Sequence, residues 1–483
     1  MHPSSPTAAR EPATDAVRAF IDEHRERFLA ELLDWLRIPS VSADPAFAGD
    51  VRRAAAFAKT RLEEAGVDHA TLYETPGHPI CFAERRIDPA LPTVLVYGHY
   101  DVQPPDPIEL WDSAPFEPVV KVTDVHPDRG AVFARGAADD KGQAYMHVKA
   151  FEAMSAAGDV PCNVKFLLEG EEEVGSVNLD AFVREHLDLL ACDVVLISDT
   201  GMIAPGVPSL TVGLRGLSYV EVKVTGPNRD LHSGVYGGAV TNPINALCAM
   251  IASLHDAEGR ITVPGFYDAV QEVSAAEREA MNEAPFDAGE YRRALDIDAI
   301  GGGERDAYTP LERTSIRPTL DVNGIWGGYT GAGAKTVLPS EAHAKISMRL
   351  VPDQLPDAIT DLFRRHFEAI APAGARVEVN PHHGGYPAVL PTDSLEYRAA
   401  AEALRATFGR EPIPARGGGS IPIVALFENQ LGVKCVLMGF GLDSDAIHSP
   451  NEHFGVGNFY KGIETIPEFY RAYARAKARE AGA

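Results

Sequence analysis

Cysteine is scarce in this chain and widely spread. The 483 residues hold five (Cys81, Cys162, Cys192, Cys248, Cys435). That odd number, with no CxxC pair, argues against both a disulfide framework and a thiolate zinc site. Positive charge is also short. Lysine and arginine total 44 against 69 aspartates and glutamates, a formal charge of −25. Nucleic acids and anionic membranes both require a basic face, so neither is an expected partner. No run approaches the ~20 apolar residues of a spanning helix. The opening "MHPSSPTAAREPATDA" lacks a basic segment followed by an apolar one. These absences point to a soluble cytoplasmic protein. Two hydrolase signatures, HExxH and GxSxG, are missing as well. "GGYTGAGAKT" imitates a phosphate-binding loop, but Ala334 stands where glycine must precede the lysine.

What is present is a sizeable apolar fraction, 45%, in a chain long enough for two or three domains. A first helix is expected over "DAVRAFIDEHRERFLAELLDWLRIP", stopped by Pro39. "TVLVYGH", "NVKFLLEG" and "DVVLISD" read as buried strands, separated by the helical stretches "KGQAYMHVKAFEAMSAAG" and "NLDAFVREHLDLLA". Strand, helix, strand, helix, strand predicts an α/β domain whose central sheet is mostly parallel. Near residue 213 the pattern changes. "LSYVEVKVTG", "AHAKISMRLVP" and "RVEVNPHH" alternate apolar and polar residues, with helical "NPINALCAMIASL" and "AITDLFRRHFEAIA" between them. One-sided strands with helices predict an α+β layer, in which residues 275–318, polar and glycine-rich, read as an elaborated loop. From about residue 390 the first pattern returns. The expected division is 1–212 and 389–483 for the first domain, with 213–388 inserted as the second.

Polar residues gather where the buried strands stop. "GHYD", "LEGEEEVGS", "SDTG" and "GLDSDAIHSPNE" each follow a strand, and "ARGAADDKG" precedes a helix. In parallel sheets ligands bind at the carboxyl ends of the strands, so five segments deliver histidine or carboxylate to one rim. Imidazole and carboxylate suit a pair of divalent ions bridged by a carboxylate. Three carboxylates and one bridging hydroxide balance the +4 of two such ions. Taken singly, each segment has a plainer reading: His99 a turn histidine, "EGEEEVGS" a solvated loop, Asp199 a helix cap.

The ordered set "GHYDVQPP", "ARGAADDKGQ", "LEGEEEVGS", "LISD", "RDLHSGVYGG", "GAKTVLP", "ISMRLVP", "RGGGSIP" and "AIHSPNEHF" resembles the co-catalytic di-zinc metallopeptidase family of carnosinase, bacterial dipeptidases, aminoacylase and glutamate carboxypeptidase. The carnosinase-like dipeptidase branch is the nearest in motif. The resemblance implies a zinc-peptidase-like catalytic domain and an inserted ferredoxin-like lid and dimerisation domain. It places His99, Asp139 and Asp199 on one metal and His448, Asp139 and Glu173 on the other, with a cis peptide after the bridging Asp139. Zinc is the expected ion, with manganese and cobalt as alternatives.

Asp101, two residues from His99 on extended chain, would orient that ring. The resemblance makes Glu172 the general base and gives His232 to the oxyanion of a neighbouring subunit in a homodimer. It gives Arg349 to the substrate's terminal carboxylate, and Thr336, His383 and Ser420 to the substrate pocket. His232 also reads as a turn residue bonded to backbone near Ser233, and Arg349 as an exposed strand residue. Gln143 departs from the family, where proline is frequent. The implied activity is hydrolysis of dipeptides with a free C-terminus. N-acyl amino-acid deacylation or carboxypeptidase action on the same metals, a non-peptide amidohydrolase, and a silent binding homologue stay open.

Overall fold

The protein is represented by a computed structural model that describes residues 12–418 and 422–482. The chain forms two compact units. The first takes Met1–Val212, Leu390–Ala415 and Leu426–Ala483, and the second Gly213–Val389 with Arg416–Ala425. The short return at Arg416–Ala425 is not announced by any change in apolar pattern.

In the first unit the sheet runs His69–Tyr73, Ile80–Arg85, Asn163–Glu169, Thr93–His99, Val194–Ile197, Lys434–Leu437, Ser209–Leu214. Its four middle strands, Asn163–Glu169 to Lys434–Leu437, are mutually parallel, and the flanking pairs are antiparallel. The sheet is therefore mixed, with a parallel centre. Strand Thr93–His99 is buried from Val94 onward, because helices cover both faces of a parallel sheet. Helices Pro12–Leu36, Ala48–Ala65, Lys141–Ala156, Leu395–Phe408 and Val456–Ala481 pack together on one of those faces, against Val94, Val96, Val164 and Phe166. Phe28, Leu32, Trp35, Met146, Phe151, Phe166, Ile463 and Phe469 join one core, and the Trp35 indole donates to the Ala54 carbonyl at 3.1 Å.

Register levels the strand ends. His99 lies opposite Glu169, Tyr97 opposite Ile197, and Leu437 opposite Ile197. The segments that follow therefore leave the sheet at one edge, as the sequence predicts. A second small sheet joins Val119–Lys121, Ala131–Phe133 and His453–Gly455.

The second unit has a four-stranded antiparallel sheet, in the order Thr319–Gly327, Glu341–Leu350, Gly216–Thr225, Arg376–Gly385. Helices Pro243–Ala252 and Pro356–Ala369 pack on it, giving the βαββαβ order of a ferredoxin-like layer. Burial alternates strictly along Gly216–Thr225, as a one-sided strand requires, and Val220, Val222, Ile346, Met348, Phe363 and Phe367 fill the core. The region 275–318 is not a plain loop. It holds helices Ala275–Met281, Ala288–Ala294 and Pro310–Ser315. Asp287 caps the second of these, and the third starts with a Thr309–Glu312 capping box and a proline in its first turn. Such local caps stabilise short helices that a window of hydrophobic periodicity passes over.

Candidate metal centre

His99 ends its strand fully buried. Its Nδ1 lies 3.1 Å from the Asp101 carbonyl, to which it must donate, so a neutral ring presents the Nε2 lone pair to the rim. That Nε2 stands 3.0 Å from Asp139 Oδ1 and 3.9 Å from Asp199 Oδ2. On the other side of the same carboxylate, His448 Nε2 is 2.8 Å from Asp139 Oδ2 and 3.3 Å from Glu173 Oε2. Asp139 thus turns one oxygen to each histidine. Two groups capable of holding an ion result, His99–Asp139–Asp199 and Asp139–Glu173–His448, sharing Asp139. The peptide from Asp139 to Asp140 is cis.

The electrostatics fit a pair of cations. Burial, followed by repulsion from Asp139, raises the Asp199 carboxyl to about 7. Burial also raises Glu172 to about 8, with His99 opposing and Asp199, Glu173 and Asp139 adding to the shift. Hydrogen bonds to Asp139 and Glu173 raise His448 to about 10. Burial disfavours the charged His99 ring, but its bonds to Asp101 and Asp139 outweigh that and raise it well above the ordinary value. Without cations the cluster therefore holds protons between its donors, and metal binding displaces them.

The surrounding residues hold these ligands in place. Asp101 stands beside the His99 ring, its carboxylate at 3.4 Å from Nδ1 and its carbonyl nearer, at 3.1 Å. That carboxylate also accepts from the Glu172 amide at 3.3 Å and the Glu173 amide at 3.1 Å, fixing the turn that carries both glutamates. Gln103 donates to Glu173 from its amide and its side chain. Asp140 Oδ2 accepts the His99 amide at 3.1 Å. It reaches that position because residue 98 is glycine, where a Cβ would stand 2.8 Å from the same oxygen. Gln143 is buried, donating to the Ala138 carbonyl and accepting from the Phe440 amide. It thus ties the segment bearing Asp139 to the strand end near residue 440. Sequence reasoning missed Gln103, Asp140 and Glu452. The last is fully buried and accepts from Arg135 at 2.6 Å and from the amides of Gly136, Ala138 and Asp139 at 3.0–3.1 Å.

The remaining expected residues lie in the second unit or beyond description. His232 is exposed and accepts the Gly234 amide on Nδ1 at 3.0 Å, so the turn bond to backbone is present and Nε2 carries the ring's proton. Arg349 is half-buried on Glu341–Leu350, opposite Leu217 and Thr319. Burial and then the neighbouring Arg349 charge push Arg215 down to about 10, so two guanidiniums stand close together. Thr336 is exposed, its carbonyl accepting the Ser233 amide. His383 lies on strand Arg376–Gly385. Ser420 falls outside the described residues. Among the described residues no helix is long and apolar enough to cross a membrane.

A carboxylate shared between two histidine-bearing groups at the carboxyl edge of a parallel-centred sheet defines a dinuclear metallohydrolase. The model of peptidase family M20/M25/M40 matches residues 95–472, and the chain belongs to this family. It is 31% identical over 480 residues to the Cys-Gly metallodipeptidase DUG1 of Saccharomyces cerevisiae, covering 94% of this chain and 97% of that protein. It is 32% identical over 491 residues to the human Beta-Ala-His dipeptidase, covering 98% and 94%. Among solved structures, an M20 family metallo-carboxypeptidase from Sulfolobus solfataricus superposes with a TM-score of 0.80 at 34% identity, covering 93% of this chain and 99% of that one.

Proposed function

We propose that this chain is a metal-dependent dipeptidase that cleaves the amide bond of substrates with a free C-terminal carboxylate. The observation that carries this reading is Asp139 placed between His99 and His448, within a chain related along almost its whole length to named dipeptidases. His99, Asp139 and Asp199 would hold one divalent ion, and Asp139, Glu173 and His448 the other. Zinc is the ion most consistent with this mix of imidazole and carboxylate, with manganese and cobalt as alternatives. When bound, such ions polarise a carbonyl and lower the pKa of water.

The chain's own residues do the rest. Glu172 accepts the proton of the attacking water and returns it to the leaving nitrogen. Its elevated affinity for a proton, caused by burial, comes down toward neutrality beside cations, where a base can both take and release. Asp101 holds the Glu172 and Glu173 amides and so sets where each carboxylate points. His232, with a proton on Nε2, is suited to donate to an oxyanion, and we assign it to the neighbouring subunit's reaction. The paired guanidiniums of Arg215 and Arg349 favour an anion, and we assign the substrate carboxylate to Arg349. Thr336, His383 and Ser420 are assigned to the substrate pocket through the family resemblance.

The first unit then serves catalysis and the inserted unit acts as lid and dimerisation domain. Val322, Ile325 and Trp326 are exposed on the sheet-edge strand Thr319–Gly327, which supports a homodimer. Cys81, Cys162, Cys192 and Cys248 stand in no disulfide, which supports a cytoplasmic location.

Three measurements bear on this. Hydrolysis of a panel of dipeptides, tripeptides and N-acyl amino acids, with and without chelator, should show dipeptides fastest and chelated enzyme inactive. Faster N-acyl substrates would move the activity to deacylation. A carboxypeptidase reading is favoured by the likeness to the Sulfolobus enzyme, and longer peptides trimmed at rates equal to dipeptides would establish it. If Arg349 binds the carboxylate, amidating the dipeptide's C-terminus should lower kcat/KM by about 10²-fold, the size of a lost charged hydrogen bond of ~3 kcal/mol; equal rates would remove that role. Mixing inactive His232→Ala chains with inactive Glu172→Ala chains should restore activity in mixed dimers, and no rescue would place His232 outside the neighbour's site.

A further inference from the structure

Away from the shared carboxylate, one further group among the described residues can hold an ion: His126, Asp445 and His453. The three come from separate parts of the first unit. His126 precedes strand Ala131–Phe133, Asp445 ends the single turn Asp443–Asp445, and His453 begins strand His453–Gly455. Asp445 is fully buried and its Oδ1 is the hub, 3.8 Å from His126 Nε2 and 3.8 Å from His453 Nε2. That separation is too long for a hydrogen bond. His126 Nε2 and Asp445 Oδ1 are both buried without a hydrogen-bond partner, which is costly for a carboxylate oxygen.

The tautomer sharpens the point. His453 Nδ1 lies 3.0 Å from the Asn451 carbonyl and must donate to it, so the neutral ring aims the Nε2 lone pair at Asp445. His99 is held in the same way, its Nδ1 on a carbonyl two residues off and its Nε2 facing the ion pair's site. Lone pair facing lone pair across 3.8 Å calls for an electrophile between them, and a single proton cannot span that gap. Zinc bonds of about 2.0–2.1 Å place tetrahedral ligands about 3.4 Å apart, a contraction of a few tenths of an ångström. The rings are already oriented. His453 stacks on Phe133 with centroids 4.6 Å apart. Asp445 Oδ2 accepts the Leu442 amide at 2.9 Å. Residue 455 is glycine, and a Cβ there would stand 2.3 Å from His126 Cε1. His126 also lines a surface groove with Arg129, Asn458 and Lys461.

We propose that His126 Nε2, Asp445 Oδ1 and His453 Nε2 bind a third divalent transition-metal ion, of the zinc type, with water completing its coordination. The ion is structural. It joins the turn Asp443–Asp445 to the strand His453–Gly455, and His448 is carried on the loop between them.

The proposal does not rest on the dipeptidase reading, and its test counts ions rather than turnover. Full-length protein is dialysed against zinc and analysed for metal content. Wild type should hold three ions per chain, and His453→Gln and His126→Gln two each. In an Asp139→Ala background, His453→Gln should again remove one equivalent, with circular dichroism checking the fold of every variant. Crystals of zinc-loaded wild type should show an anomalous peak enclosed by the three side chains. Equal metal content with and without His453→Gln in folded protein, or a blank at that position in fully loaded crystals, would overturn the site whatever the enzyme hydrolyses.

Discussion

Glu172→Ala should lower kcat by about 10²–10⁴-fold, the usual contribution of a general acid–base, while metal content stays at the wild-type value. The two halves of this expectation come from different atoms. Two ion-holding groups are complete without the Glu172 side chain, and the turn that carries it is fixed through backbone amides, which alanine keeps, on Asp101. What alanine removes is a half-buried proton acceptor whose affinity partial burial and neighbouring carboxylates set. Steady-state kinetics with elemental analysis on the same sample checks both halves. Metal loss with residual turnover would mean that the roles of Glu172 and Glu173 are exchanged.

Glu452→Ala should be the most destabilising single change near the centre, at roughly 3–5 kcal/mol, as for removal of one member of a buried ion pair. Its carboxylate satisfies Arg135 and the amides of Gly136, Ala138 and Asp139 at once. Truncation leaves Arg135 Nη1 and those amides without an acceptor, and the buried guanidinium without its counter-charge, its Nη2 keeping the Pro104 and Ser449 carbonyls. The Asp139 amide is one of them, so metal affinity should fall together with stability. Glu452→Gln retains one carbonyl oxygen and should lose less. Urea unfolding of the two variants measures this, and a loss under about 1 kcal/mol for alanine, within the range of ordinary surface changes, would contradict it.

Part of the candidate centre is legible in the sequence because His99, Asp199 and Glu173 close or follow strands whose apolar run is unmistakable. His99 closes "TVLVYGH", Asp199 follows "VVLIS", and Glu172 and Glu173 follow "KFLLEG". Parallel register then brings them level. The alternating strands of the second unit are legible for the same reason. What escapes is long-range polar pairing. Glu452 and Arg135 stand 317 positions apart, and neither residue's neighbours announce the other. In sequence His126 reads only as a surface or structural histidine, since its partners lie at positions 445 and 453. The short helices of 275–318 escape because their stability is local, in caps at Asp287 and Thr309, while their apolar content is low. Strand Thr319–Gly327 lacks clean alternation, with burial broken at its exposed middle.

The most direct measurement on the centre is anomalous diffraction, with X-ray absorption on the same preparation, from protein loaded with zinc. Two ions about 3.5–4 Å apart, each in contact with a different oxygen of Asp139, are expected between His99 and His448. A single ion there, or two ions with Asp139 bound to neither or to only one, would contradict the shared-carboxylate arrangement.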